Sequence, residues 1–95
     1  MIRYLTLIRF TEQGAKNIAQ SVKRAGAFLK AASKTRVKVE SQYWTTGAYD
    51  GVLILSAENE KALLRCLSSL SAEGNVHTES LRALDAKEFE AISAK

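Results

Sequence analysis

The stretch YWTTGAYDGVLI, Tyr43 to Ile54, gathers the only tryptophan, two of the three tyrosines and an Asp-Gly pair around one turn. Gly47-Ala48 reads as a two-residue hairpin turn, with glycine first as a type II′ turn prefers. Pairing then runs Thr46 with Tyr49, Thr45 with Asp50, Trp44 with Gly51 and Tyr43 with Val52. The indole of Trp44 lies across a strand glycine, and an aromatic over such a glycine recovers packing that the missing side chain forfeits. Asp50 sits where its carboxylate accepts hydrogen bonds from threonine hydroxyls or turn amides. In this register Val37, Val39, Tyr43, Val52 and Ile54 share one face, assigned to the helices. Glu40, Gln42, Trp44, Tyr49 and Leu53 share the other.

On either side of that turn, Arg36 to Thr46 and Asp50 to Ser56 read as strands rich in β-branched and aromatic residues. Upstream, IRYLTLIRF (Ile2 to Phe10) is a strand with apolar groups on both faces, the pattern of a central position. Thr11 caps the next segment, with Glu12 beside a helix N-terminus. From about Gly14 to Lys34 the period changes: Ile18, Val22, Ala25, Leu29 and Ala32 form an amphipathic stripe, with Lys16, Lys23, Lys30 and Lys34 on the solvated side. Ser21 is placed to interrupt this helix and cap a second segment.

Downstream, Glu58 to about Glu73 is a helix with Leu63, Leu67 and Leu70 as its stripe and Cys66 beside them, ended by Gly74. Asn75 to Leu84 is a fourth strand. Asp85 with Glu88 three residues on resembles a capping box, and Leu84 with Phe89 a hydrophobic staple, so a short helix covers about 86–93.

The order β-α-β-β-α-β-α predicts an α+β, ferredoxin-like domain over residues 1–95: a four-stranded antiparallel sheet with both long helices on one face. The other face carries too many apolar side chains to stay wet, which predicts a homodimer, or a higher oligomer, in which sheets cover each other. No apolar run approaches membrane-spanning length, Arg3 and Arg9 interrupt any signal-peptide pattern, and a single cysteine fits a reducing compartment, so the expected location is cytoplasmic. A net charge of +4 is too modest to argue for nucleic acid.

Three segments, YLTLIRFTEQGAKNI (Tyr4 to Ile18), SQYWTTGAYDGVLI (Ser41 to Ile54) and GNVHTESLRAL (Gly74 to Leu84), resemble the GYD domain family of small bacterial and archaeal proteins. With the spacing between them the resemblance covers nearly the whole chain. It implies a branch of the dimeric α/β-barrel superfamily and carries over Trp44, Gly47, Tyr49, Asp50, His77, Thr78, Glu79 and Arg82 as signature positions. It implies no activity. Relatives often carry proline near position 22, where this chain has Val22.

The residues leave open whether the protein is an enzyme. As an enzyme without bound cofactor it would use His77 or Asp50 to move a proton, Arg82 to clamp an anion, and Tyr49 with Trp44 as apolar walls. The superfamily resemblance implies a small-molecule site between sheet and helices, and the dimer interface is a second place for one. The alternative is a non-catalytic ligand-binding or assembly module. RNA binding is weaker, because AYDGVLIL lacks the aromatic spacing that RNA-recognition sheets use. One histidine and one cysteine on separate elements give no metal site. Cys66, near an apolar stripe, reads as a small hydrophobe.

Overall fold

The computed structural model describes residues 1–94. Strand β1 (Ile2–Phe10) lies between β3 (Gly51–Ala57) and β4 (Val76–Arg82), and β2 (Lys38–Trp44) flanks β3, giving the all-antiparallel order β2-β3-β1-β4. Helices α1 (Glu12–Lys16), α2 (Ser21–Lys34) and α3 (Glu60–Ala72) fall between the strands, and α4 (Ala86–Ser93) follows β4. This is the expected ferredoxin-like plan.

The first helical region breaks without a proline. The carbonyl of Asn17 accepts Arg24 Nη1 at 2.7 Å, and Asn17 Nδ2 donates to the Gln13 carbonyl, so a 3-10 turn (Ile18–Gln20) separates α1 from α2. A second helix does begin at Ser21, but the residue in its N-cap position is Gln20, which makes no side-chain cap hydrogen bond, and the Ser21 N–H donates to the Ile18 carbonyl at the end of the 3-10 turn. Gly74 ends α3 with φ +81°, the left-handed conformation glycine adopts without penalty. The Asp85–Glu88 capping box forms as read from the sequence.

The register places the core. Tyr4 faces Leu55, Thr6 faces Leu53, and Ile8 faces Gly51. Tyr4, Thr6, Leu53, Leu55 and Ala57 are buried together with Leu63, Cys66 and Leu67 of α3, Ala32 of α2 and Val37. Each leucine so enclosed contributes roughly 1.5–3 kcal/mol of transfer free energy. Cys66 is inert packing, its thiol pushed up by burial.

The structure corrects three expectations. The faces of β3 are the reverse of those expected: Leu53 and Leu55 are buried under the helices, while Val52 and Ile54 lie half-buried on the outer face. Tyr43 is also outward, and Trp44 and Gln42 are inward, paired with Gly51 and Leu53. The bulge between Val39 and Ser41, which leaves Glu40 out of the ladder, explains how Val39 and Gln42 share the inner face. The turn also differs. Trp44 pairs with Gly51 as read, and the Thr45 N–H donates to the Asp50 carbonyl at 3.0 Å, but the ladder ends at Trp44 and Gly51, Thr46 and Tyr49 lie outside the strands, and Gly47 holds φ +100°. Nor does the Trp44 ring rest on Gly51. A Cβ at Gly51 would meet the Tyr43 carbonyl oxygen at 3.1 Å, so close backbone approach is what glycine serves there.

Candidate functional site

The hairpin corner is built from backbone groups that the sheet leaves over. The β1–β3 ladder ends at Ile8 and Gly51, so the N–H of Phe10 lacks a strand partner there. The Asp50 carboxylate accepts that N–H at 2.8 Å, while the Asp50 N–H donates to the Ile8 carbonyl at 2.7 Å. The Thr45 hydroxyl donates to the Tyr49 carbonyl at 2.7 Å. Asp50 therefore has the corner-fixing role, with its principal partner on β1 rather than in the turn.

Trp44 leaves β2 toward the helices, and its indole Nε1 donates to the Ser21 hydroxyl at 2.9 Å. Beside it, between the sheet and α2, lies a cavity of about 70 Å³. Its walls are mainly apolar (Ile8, Phe10, Ala25, Phe28, Leu53 and Val76), with Trp44, Gln42 and Asp50 also in the lining. Sites for ordinary small molecules run to roughly 300–1,000 Å³. This one is too small for such a substrate. Arg24, in the same wall, is held by the Asn17 carbonyl.

The other expected site residues lie elsewhere. Tyr49 reaches across the outer face: its hydroxyl donates to Glu79 at 3.0 Å, and the Arg9 guanidinium stands 5.2 Å from its ring centroid. His77 is exposed and pairs with Arg9 in the β1–β4 register, on that same face. Arg82, opposite buried Tyr4, points to the helix side and lines a cleft between β4 and α3. Of the five candidates, Trp44 and Asp50 share a cavity, Tyr49 and His77 share the outer face, and Arg82 stands apart. No proton-transferring group faces an anion clamp. Phe10, Ser21 and Glu79 are contacts of these residues; in the sequence Glu79 stood out as a signature position and Ser21 only as a helix interruption.

Among the described residues no three His, Cys, Asp or Glu side chains converge as a metal site. No helix there is long and apolar enough to cross a membrane.

Comparison with known proteins places this architecture. No curated protein matches the sequence. Among solved structures, MtbAldR superposes with a TM-score of 0.64 at 16% identity over 88% of this chain and 52% of its own, a likeness of fold alone. The chain thus spans about half the length of MtbAldR. TTHA0845 from Thermus thermophilus superposes with a TM-score of 0.57 at 28% identity, over 90% of this chain and 96% of its own. The GYD domain profile matches residues 4–93, which takes in the corner, both outer-face candidates and Arg82, and the chain belongs to the GYD domain family.

Proposed function

We propose that the protein is a non-catalytic homodimeric module, in which a second copy covers the outer face of the sheet. The observation that carries this reading is the composition of that face. Leu5, Leu7, Val52 and Ile54 form a half-buried apolar centre, flanked by Tyr43, 62% exposed, and Leu81, 45% exposed. Such a patch on a small protein is energetically unfavourable in water.

Charge favours a second copy over nucleic acid. Arg3, Arg9 and Lys38 on this face are matched in number by Glu40, Glu79 and Glu88, and Arg3 pairs with Glu88 at 3.0 Å. A two-fold interface sets a patch against itself, so a neutral patch with apolar centre suits it. A phosphate backbone would call for net positive charge. The non-catalytic half of the reading rests on the dispersal of His77, Asp50 and Arg82, and on Asp50 being engaged with Phe10.

Size-exclusion chromatography with light scattering tests the proposal. Twice the 10.4 kDa chain mass is expected at micromolar concentration, and Ile54→Lys should give a folded monomer. A wild-type monomer overturns the dimer. A turnover abolished by His77→Ala in a folded protein overturns the non-catalytic assignment.

A further inference from the structure

The inner face of β4 is largely polar, whereas the inner faces of the other strands are mainly apolar, with Thr6 on β1 and Gln42 on β2 as isolated exceptions. Strand positions beneath helices carry apolar groups, as Leu53 and Leu55 do on β3. On β4 the helix-side positions after Val76 are Thr78, Ser80 and Arg82, opposite Ile8, Thr6 and Tyr4 of β1. Thr6 is fully buried, and its hydroxyl lies 2.9 Å from that of Ser80. Departures of this kind from local sequence rules concentrate at functional sites.

The facing wall is one side of α3. Glu60, Leu64, Ser68 and Ser71 recur at helical spacing, beside the core stripe of Leu63, Cys66 and Leu67. Between wall and strand is a shallow cleft of about 780 Å³, open to solvent, with Glu60, Ser68, Ser71 and Arg82 exposed along it. It lies on the opposite side of the sheet from the face assigned to the second copy.

Two charges in this cleft are unpaired among the described residues. Arg82 forms no ion pair, and Glu60 forms none either. Glu60 is instead oriented by the hydroxyl of buried Tyr4, which donates to it at 2.5 Å. That hydrogen bond keeps Tyr4 protonated, with its hydroxyl pushed above the ordinary tyrosine value. A ligand with only an anionic group would meet the Glu60 carboxylate, and one with only a cationic group would meet Arg82. A ligand carrying both satisfies both.

We propose that the cleft between α3 and β4 binds a small zwitterion of the amino-acid class, its carboxylate on Arg82 and its ammonium on Glu60. The guanidinium offers a planar pair of donors that matches a carboxylate. The hydroxyls of Ser68, Ser71, Thr78 and Ser80 receive the ligand's remaining polar groups.

The experiment is a titration of ¹⁵N-labelled full-length protein with three small probes: L-serine, L-glycerate, which replaces its amine with hydroxyl at the same stereocentre, and ethanolamine, which lacks its carboxylate. The expected result is saturable shifts of the Glu60, Thr78 and Ser80 amides with L-serine, and binding at least about tenfold weaker for the other two. Arg82→Gln and Glu60→Gln should each weaken L-serine by about tenfold or more while the melting temperature stays near wild type. Tyr4→Phe should weaken it without removing either charge. L-glycerate binding as well as L-serine would overturn the role of Glu60. Ethanolamine binding as well would overturn that of Arg82, and no shift with L-serine at about 20 mM overturns the site. The Ile54→Lys variant leaves the cleft residues intact, so its binding is read separately from dimerisation.

Discussion

The Asp50 carboxylate and the Phe10 N–H, forty residues apart in the chain, are joined at 2.8 Å. Because the Asp50 N–H also donates to the Ile8 carbonyl, one residue secures the end of the central strand with two hydrogen bonds along its β3 edge. A backbone N–H held by a charged acceptor contributes about 1.5–3 kcal/mol. Asp50→Ala should therefore lower unfolding stability by about that amount, and Asp50→Asn by less, because the amide oxygen still accepts. Urea unfolding monitored by Trp44 fluorescence measures both. Equal stability of wild type and alanine variant would refute the structural role.

Gly14 should be intolerant of any side chain. A Cβ there would lie 2.0 Å from the Asn75 carbonyl oxygen, and that same oxygen accepts the Thr11 N–H at 3.0 Å. Gly14→Ala forces α1 away from the α3–β4 connection, with an expected loss of about 1–3 kcal/mol or more. Thermal unfolding tests it.

Arg36 offers the opposite opportunity. It occupies φ +64° at the end of α2, where its N–H donates to the Ser33 carbonyl and the Val37 N–H to that of Ala32. This is a Schellman termination with arginine in the position glycine usually fills. Arg36→Gly should stabilise the fold by about 1 kcal/mol, raising the melting temperature by several degrees.

The docking of α4 should weaken in acid. The Glu88 carboxyl sits below the usual carboxylate range because it accepts the Asp85 N–H and, secondly, Arg3 Nη1. A depressed folded-state value means that its contribution is present above the unfolded carboxylate value and is lost as pH falls through the folded one. Amide shifts of Phe89 and Ile92 should therefore change together in mildly acidic to acidic solution. In Glu88→Gln that transition should be absent.

Much of the architecture was legible because it is local. The Thr11 cap, the Asp85–Glu88 box and the left-handed Gly74 are short-range chemistry, and the pairing of Trp44 with Gly51 follows from the distance between two strands and one turn. The faces of β3 were not legible. Val52-Leu53-Ile54-Leu55 is apolar at every position, so alternation carries no information there, and a bulge in the partner strand shifts the parity on which the reading relied. The contacts of the candidate residues were hidden for a related reason. Asp50 and Tyr49 find their partners on β1 and β4, and no spacing within the hairpin announces Phe10 or Glu79.

The unpaired Glu40 also determines where this protein can lose a residue. Val39 and Ser41 already face consecutive residues of β3, Leu55 and Ile54. Excising Glu40 would leave an uninterrupted ladder with every neighbour still on its present side. Removing Gln42, Tyr43 or Trp44 would instead carry part of the strand through half a rotation, bringing Tyr43 or Ser41 in where Trp44 or Gln42 now sits. Length variation in this strand is thus confined to the bulge, and the ion pair of Glu40 with Arg3, 3.8 Å apart, is what a chain shortened at Glu40 would forgo.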